Sequence, residues 1–350
     1  MPQVRLAEIA ERAGVSISTV SRVLNDKPGV NAATRRQVLT AIDVLGYDRP
    51  ARLRPRVAGL VGVVVPEIEN PFFPRLAQLI ETNLAQHGYT PVLCSQSLGG
   101  IHEDDYVRSL LEHGVAGIIF VSGMHAIADA DPGRYERLTA SGLPVVLING
   151  YLPDVGAACI ATDDARGIDL AVAHLADMGH TRIGLALGQD RYTPVRRKAA
   201  ALGPAMRAHV DAGLTDTECA ELVECTTFTV AGGAQAGAAL IDRGVTGIVC
   251  GSDVMALGVL RAARQRGLWV PRDLSVVGSD DSPLIEFTDP PLTTVRQPSM
   301  EMAAAACRAL LDLIGGGTPA SAEMLLAPEL VVRGSAGRVP VNPPGVVPVG

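Results

Sequence analysis

The sequence predicts an all-α helix-turn-helix head followed by a larger α/β body of two lobes built on parallel sheets. Three observations predict it. Within the first 47 residues, apolar side chains recur at helical spacing around a glycine turn. From residue 60 onward, short runs of Val, Ile, Leu and Ala alternate with amphipathic stretches of helix length. Charge is also unevenly divided. Residues 1–58 carry ten Arg or Lys against five Asp or Glu, so a head of net charge +5 precedes a remainder of −12 in a chain whose total is −7.

The chain has 350 residues, more than the roughly 100–200 of one ordinary domain. Its 47% hydrophobic and 19% charged composition is that of a globular protein. No apolar run reaches the ~18 residues of a membrane helix, so no membrane partner is expected. The first thirteen residues hold Glu8 and Glu11 and lack a long apolar stretch. They do not read as a secretory signal, and a cytoplasmic location is expected. Cys94, Cys159, Cys219, Cys225, Cys250 and Cys307 lack CxxC or CxxH spacing, and most lie in apolar runs. They read as small buried hydrophobes in a reducing compartment, not as disulfides or zinc ligands. No metal or cofactor is expected.

In the head, Leu6, Ile9, Ala10 and Ala13 fall at i, i+3, i+4 and i+7, one face of a short helix. Gly14 supplies the left-handed residue of a tight turn. Ser16 is placed to cap a second helix over 17–24, whose Val20, Val23 and Leu24 point inward. A third helix opens after Asn31, with Val38, Ala41, Ile42 and Leu45 inward and Gly46 at its end. Two short helices joined by a glycine turn, with a third packed beneath, form a helix-turn-helix, whose second helix enters the major groove of DNA.

The run from Val4 to Tyr47 carries Leu6-Ala7-Glu8-Ile9-Ala10, Ala13-Gly14-Val15-Ser16, Thr19-Val20-Ser21-Arg22-Val23-Leu24-Asn25, Thr34-Arg35 and Leu45-Gly46-Tyr47. It resembles the head of the LacI/GalR family. The resemblance implies base reading by Ile17, Ser18 and Arg22. Of these, an arginine can grip guanine O6 and N7 with two bonds, an isoleucine offers only apolar contact, and a serine discriminates weakly. Ser16, Thr19, Ser21, Asn25 and Thr34 are expected to touch phosphates, which position without specifying. Residues 48–58 form a basic hinge or linker with four arginines in the eight residues 49–56. Family members fold a helix here that inserts a leucine into the minor groove. Leu53 is the matching wedge and Arg52 a matching phosphate contact. The linker departs from the family: it is shorter, lacks the usual Asn-x-x-Ala-Arg-x-Leu run, and has Pro55, which forbids a helix beyond about Arg54.

In the body, strand-like runs fall at 60–65, 91–94, 117–121, 145–149, 182–186, 221–225, 246–250 and 274–278. Helical stretches fall at 73–86, 103–112, 167–178, 196–210, 231–242 and 254–265. Alternation of this kind gives parallel sheets covered by helices. So many strands fit two lobes better than one open sheet, with ligand at the carboxyl ends of the strands. The resemblance continues through Gly62-Val63-Val64-Val65-Pro66, Asn70-Pro71-Phe72-Phe73, Gly179-His180-Thr181-Arg182-Ile183, Asp253-Val254-Met255-Ala256-Leu257-Gly258 and Pro291-Leu292-Thr293-Thr294-Val295. It implies a periplasmic-binding-protein-like effector domain over 59–334. Its lobes are expected at 59–162 with 293–320 and at 163–292 with 321–334, followed by a disordered tail over 335–350 without the heptads of a tetramerising coiled coil.

Asn70 is placed to cap a helix from Pro71, which would set Phe72 and Phe73 at a strand-to-helix junction facing the cleft. The resemblance adds Asn149, which ends a strand, Phe228 as an aromatic that stacks on ligand, Ser252 where the family usually has Asn or Asp, and Asp280 as a cleft carboxylate. The family's ligand-binding arginine falls on Lys198 here, with Arg197 adjacent. A lysine supplies a point charge where an arginine supplies a fork. Asp163 reads as a crossover hinge or helix cap, and Trp269 as lobe packing.

The implied function is a sequence-specific DNA-binding regulator, a repressor and homodimer on a pseudo-palindromic operator. A small effector between the lobes would control its operator affinity, with a sugar or polyol favoured and a nucleobase second. The alternative is a cytoplasmic or exported small-molecule binding protein without a regulatory role, against which the basic head argues. An enzyme is disfavoured, because no GxxxxGK[ST], HExxH, GxSxG or strand-borne GxGxxG occurs.

Overall fold

In a computed structural model, which describes residues 3–25, 27–47, 58–96, 100–320 and 322–339, the head is three helices: α1 Gln3–Ala13, α2 Ile17–Leu24 and α3 Ala32–Val44. The periodicity that predicted them also builds their core. Ile9, Ala10, Val20, Val23, Leu24, Val38, Ala41 and Ile42 are buried together, with Leu6, Ala13 and Leu45 packed at the rim. Gly14 and Gly46 take positive φ of 63° and 67° at the ends of α1 and α3. The chain divides into two compact units, residues 1–58 and 59–350. The expected linker contacts Arg52 and Leu53 lie outside the described residues.

The larger unit holds two six-stranded sheets. In chain order its elements are β1 Gly59–Val65, α4 Phe72–Gln86, β2 Tyr89–Ser95, α5 Glu103–Glu112, β3 Gly117–Val121, α6 Gly133–Ala140, β4 Val145–Ile148, β5 Ala158–Thr162, α7 Asp164–Asp177, β6 Ile183–Leu187, α8 Thr193–His209, α9 Asp216–Ala220, β7 Val223–Cys225, α10 Val230–Asp242, β8 Gly247–Cys250, α11 Asp253–Gln265, β9 Ser275–Ser279, β10 Thr293–Arg296, α12 Ser299–Ile314, β11 Met324–Leu326 and β12 Glu329–Val331. The first sheet runs β11-β5-β4-β3-β1-β2 and the second β12-β10-β9-β8-β6-β7. Every pairing is parallel except β12 on β10. The inner strands β3, β4, β5, β6, β8 and β9 are buried throughout. A parallel strand covered by helices on both faces favours apolar residues at every position, so these strands are mostly apolar, with Thr162 at the end of β5 and Ser275 and Ser279 at the ends of β9 as buried exceptions.

The lobe boundaries need correction. β10, expected in the first lobe, pairs with β9 and β12 in the second sheet, and β11, expected in the second lobe, pairs with β5 in the first. The chain therefore passes between sheets after Thr162, after Arg296 and after Leu326. The tail is corrected over 335–339. The Val276 amide donates to the Ser335 carbonyl at 2.8 Å, and the Ser335 hydroxyl donates to the Val276 carbonyl at 2.6 Å. His180 Nε2 contacts the Gly337 carbonyl at 2.9 Å, and the Val339 amide donates to the Met178 carbonyl at 3.0 Å. Residues 340–350 lie outside the described residues. Trp269 does not pack a lobe: it is 67% exposed, with the Arg272 guanidinium 5.8 Å from its ring centre. All six cysteines are free thiols, and Cys225 is the exposed one.

Candidate functional site

On the head, α2 offers a capped N-terminus and one open face. Ser16 Oγ accepts from the Thr19 amide at 3.2 Å and lies 2.8 Å from Ser18 Oγ and 2.9 Å from Thr19 Oγ1. Val20, Val23 and Leu24 turn into the core, so Ile17, Ser18 and Arg22 face outward, all exposed. Thr19 and Ser21 are half-buried, and Asn25 Nδ2 donates to the Ser21 carbonyl at 2.8 Å. Asn31 Oδ1 accepts from the Thr34 amide at 2.7 Å, capping α3. Two helix N-termini with free amides and dipoles, beside an exposed arginine, suit an anionic backbone with base edges between its phosphates.

In the body, the candidate residues converge where the carboxyl ends of the two sheets meet. Asp280 follows β9 with φ of 114° and is buried. Gln297 Nε2 donates to its Oδ1 at 2.6 Å, and Gln297 Oε1 accepts from the Thr162 hydroxyl at 2.8 Å. One amide thus links the cleft carboxylate to two of the three crossovers. Burial, reinforced by the Asp253 charge, pushes the Asp280 carboxyl well above its ordinary range, against hydrogen bonds from Gln297 and Asn70 and the charge of Lys198. Asp253 is equally buried. It accepts from the Ser282 amide and the Thr294 hydroxyl, each at 2.7 Å, and burial pushes its pKa up to about 6.

Lys198 on α8 pairs with buried Asp164, the first residue of α7. Burial raises the Asp164 carboxyl, and Lys198 opposes that shift. Asp163 caps α7, accepting from the Arg166 amide at 2.9 Å. A cavity of about 20 Å³ lies here between Thr162, Asp164, Lys198, Gly278, Val295 and Gln297. The two aspartate doublets divide their work. Asp163 caps while Asp164 faces Lys198; Asp280 faces Gln297 while Asp281 takes Arg333 at 2.6 Å and Arg296 at 2.7 Å. Burial raises the Asp281 carboxyl, but those two guanidinium groups outweigh burial and hold it below its ordinary value.

Other candidates are placed differently. Phe72 does not face the cleft: it is buried in the first-lobe core, with Phe73 edge-on at 5.4 Å and half-buried. The Asn70 carbonyl oxygen Oδ1 accepts from the Phe72 amide at 3.1 Å, which turns the first ring inward. Ser252 is buried and caps α11, accepting from the Met255 amide at 3.2 Å. Arg197 is engaged by Glu323, with two bonds of 2.9 and 2.8 Å between α8 of the second lobe and the segment before β11 of the first. Asn149 follows β4 in the left-handed region at φ of 63° and donates to Ser122 Oγ at 3.1 Å. The Phe228 ring lies so close over Gly188 that a Cβ there would sit 2.1 Å from it. Thr162, Asp164, Asp253 and Gln297 were not anticipated. The crossover position of Asp164 was a usable signal. Gln297 had none, since its partners are 17 and 135 residues away.

Among the described residues no cluster of three His, Cys, Asp or Glu is arranged to hold a metal ion, and no helix is long and apolar enough to cross a membrane.

Residues 5–49 match the model of bacterial regulatory proteins of the lacI family, and residues 172–336 match that of a periplasmic binding protein-like domain. The HTH-type transcriptional regulator reg1 of Streptomyces lividans is 56% identical over 336 residues, which is 96% of this chain and 97% of that protein. Among solved structures, a complex of the transcriptional regulator CelR with cellobiose matches 96% of this chain and 100% of its own at 30% identity and a TM-score of 0.70. The lac repressor dimer bound to operator and the anti-inducer ONPF matches 94% of this chain and 98% of its own at 27% identity and a TM-score of 0.66.

Proposed function

Since the chain belongs to the LacI family of bacterial regulatory proteins, we propose that it represses transcription as a homodimer on a pseudo-palindromic operator and releases or grips that operator according to a sugar or polyol bound between its lobes. That it is a DNA-binding transcription regulator, not an enzyme, follows from its relatives. The observation that carries the effector reading is Asp280. A buried carboxylate held at the carboxyl end of β9, with Lys198, Asn70 and Gln297 around it, offers strong acceptors to the hydroxyls of an uncharged ligand. The match to a regulator solved with cellobiose supports a sugar as the class. Ile17, Ser18 and Arg22 are assigned to base edges, and Ser16, Thr19, Ser21, Asn25 and Thr34 to the phosphates beside them. A head of three short helices buries too little surface for specific binding alone, which favours two heads on two half-sites.

In this reading the effector works by population. It binds one angle between the lobes better than another, and operator affinity follows the angle. The test is a thermal-shift screen of the full chain against mono- and disaccharides, polyols and purine nucleosides, followed by operator titration with each compound that raises the melting temperature. A sugar that both stabilises the protein and changes operator affinity supports the proposal. Stabilisation by purine nucleosides alone would replace the sugar with a nucleobase, and equal affinity for a half-site and a full site would remove the dimer.

A further inference from the structure

Glu103 opens α5, is 1% exposed, and has no part in the sites above. Four groups converge on its carboxylate: Arg134 at 3.0 Å and the Tyr135 hydroxyl at 2.7 Å on Oε1, and the Met124 amide at 3.0 Å and Gln96 Nε2 at 3.2 Å on Oε2. The Tyr135 hydroxyl in turn accepts from the His125 amide at 2.9 Å, and His125 Nε2 donates to the Ile148 carbonyl at 2.9 Å. Burying a carboxylate costs several kcal/mol unless it is well paired. Here that pairing fixes one segment, the loop that leaves β3. Ser122 begins it at φ of 46°, and a Cβ on Gly123 would sit 2.3 Å from the Glu103 carboxylate.

The loop does not return directly to its own lobe. Ile127 forms an antiparallel bridge with Tyr192, and the Ala128 amide donates to the Arg191 carbonyl at 2.8 Å. Asp129 takes Arg196 with bonds of 2.8 and 3.4 Å. Tyr192 is the N-cap of α8, Arg191 precedes it and Arg196 lies in the first turn of this helix, which also carries Lys198. In the first sheet β3 is separated from the crossover strand β5 by β4, which at the usual strand spacing is about 10 Å. Contacts that far from the crossovers resist opening with leverage that contacts at the crossovers lack.

We propose that residues 122–131 form a strap, anchored on Glu103, that spans from the first lobe to the start of α8 and gates the cleft, so that an effector enters and leaves only when the strap lets go of Arg191 and Arg196. This rests on the effector site proposed above, and the test separates the two. Bridge partners in antiparallel strands stand about 4.5–5.5 Å apart at Cα, within reach of a disulfide. Full-length protein carrying Ile127→Cys with Tyr192→Cys is therefore oxidised, the 127–192 bond is verified by peptide mapping, and cellobiose is the probe. The expected result is an association rate at least about tenfold slower in the oxidised form, restored by reduction. Equal rates in the two forms would overturn the gate.

Absence of cellobiose binding in wild type counts against the sugar and leaves the strap to a second measurement, hydrogen exchange of the full chain. Ala128→Pro removes the amide that bonds Arg191, and Ile127, at φ −77° and ψ 123°, already has the backbone a following proline requires. Both Ala128→Pro and Glu103→Gln should speed exchange about tenfold in peptides over 123–130 and, with them, over 190–197. Loss of protection confined to 123–130 would show that Glu103 only supports a local loop, and would sink the strap.

Discussion

The head and the body prepare for their partners in opposite ways. Ile17 at the front of α2 is 47% exposed, whereas Asp280 at the end of β9 is 7% exposed and already holds Gln297. DNA brings its own dense array of phosphates and base edges, so the head needs only a rigid scaffold that presents bare side chains. A small effector must enter a space from which water leaves, so the polar groups of the cleft must be satisfied within the protein as well. The difference teaches where mutations should act: on affinity at the reading face, and on affinity and stability together in the cleft.

The largest effect should come from the head's core, which is small. Ile42 is fully buried among seven other buried residues. Ile42→Ala should cost about 2–5 kcal/mol, enough to unfold so small a unit, since a helical domain of this size is marginal to begin with. Urea denaturation monitored by circular dichroism, together with operator titration, checks it: operator binding is lost while the main transition of the body stays in place. A body transition displaced as far as the head's would break the comparison, because the two would then be one cooperative unit.

In the cleft, Asp280→Asn keeps the shape and removes the charge. The lost charge-assisted bonds should cost about 1.5–3 kcal/mol of effector affinity, roughly ten- to a hundredfold, with operator binding in the absence of effector unchanged. Operator titrations with and without the sugar identified by thermal shift measure both. A variant that answers the sugar normally would make Asp280 a turn residue.

The same burial predicts a pH dependence of the body of similar size. Asp253 binds its proton up to about pH 6 when folded, against an ordinary value of 3.8. Between those limits the folded state holds more protons than the unfolded state, so stability falls as pH rises through the window and levels off above it, by an amount on the order of 3 kcal/mol. Asp280 and Asp164, also raised by burial, act in the same direction, whereas Asp281, lowered by its arginines, adds stability that is lost only as pH falls below its ordinary value of 3.8. Urea midpoints measured at several pH values across that window check the sign. A stability that rises with pH across that window would mean that burial does not hold the Asp253 proton in the folded state.

How much of this was legible in the sequence depended on whether a residue's surroundings lie nearby in the chain. The head was readable almost to the residue, because its three helices are fixed by local period and by caps such as Ser16 and Asn31. The inner strands other than β5 were readable as apolar runs. The strand β5 and the short edge strands β11 and β12 were not, and neither was α12, whose run Ala303–Ala306 lacks the polar interruptions that mark a helix face. The lobe assignment of β10 and β11 depends on pairings the sequence does not carry. In the body, the resemblance named Lys198 and Asp280, and the charge of Lys198 reaches the Asp280 carboxyl, but only the folded structure reveals that Arg197 is engaged by Glu323 and that Ser252 is a helix cap. The exposure of Trp269 had no signal at all.

Arg22 tests the other side of the comparison. It is exposed on α2, one turn beyond Ser18, and its helix is held by Val20, Val23 and Leu24, which face away from it. Truncating it removes no core contact and leaves the Ser16 cap intact, so Arg22→Ala should leave the melting temperature of the head within experimental error. What it should lose is a two-bond grip on one guanine per half-site, about 1–3 kcal/mol of specific affinity, with relaxed preference at that base pair. Binding to random DNA should weaken far less, because that term comes from phosphate contacts. Titration of the variant against operators substituted one base pair at a time separates these contributions. If all operators weakened equally and the salt dependence became shallower, Arg22 would be a phosphate contact, and base reading would pass to Ile17 and Ser18. Since those two offer only apolar contact and weak discrimination, an arginine-free reading face would leave specificity to be carried by the shape and deformability of the operator.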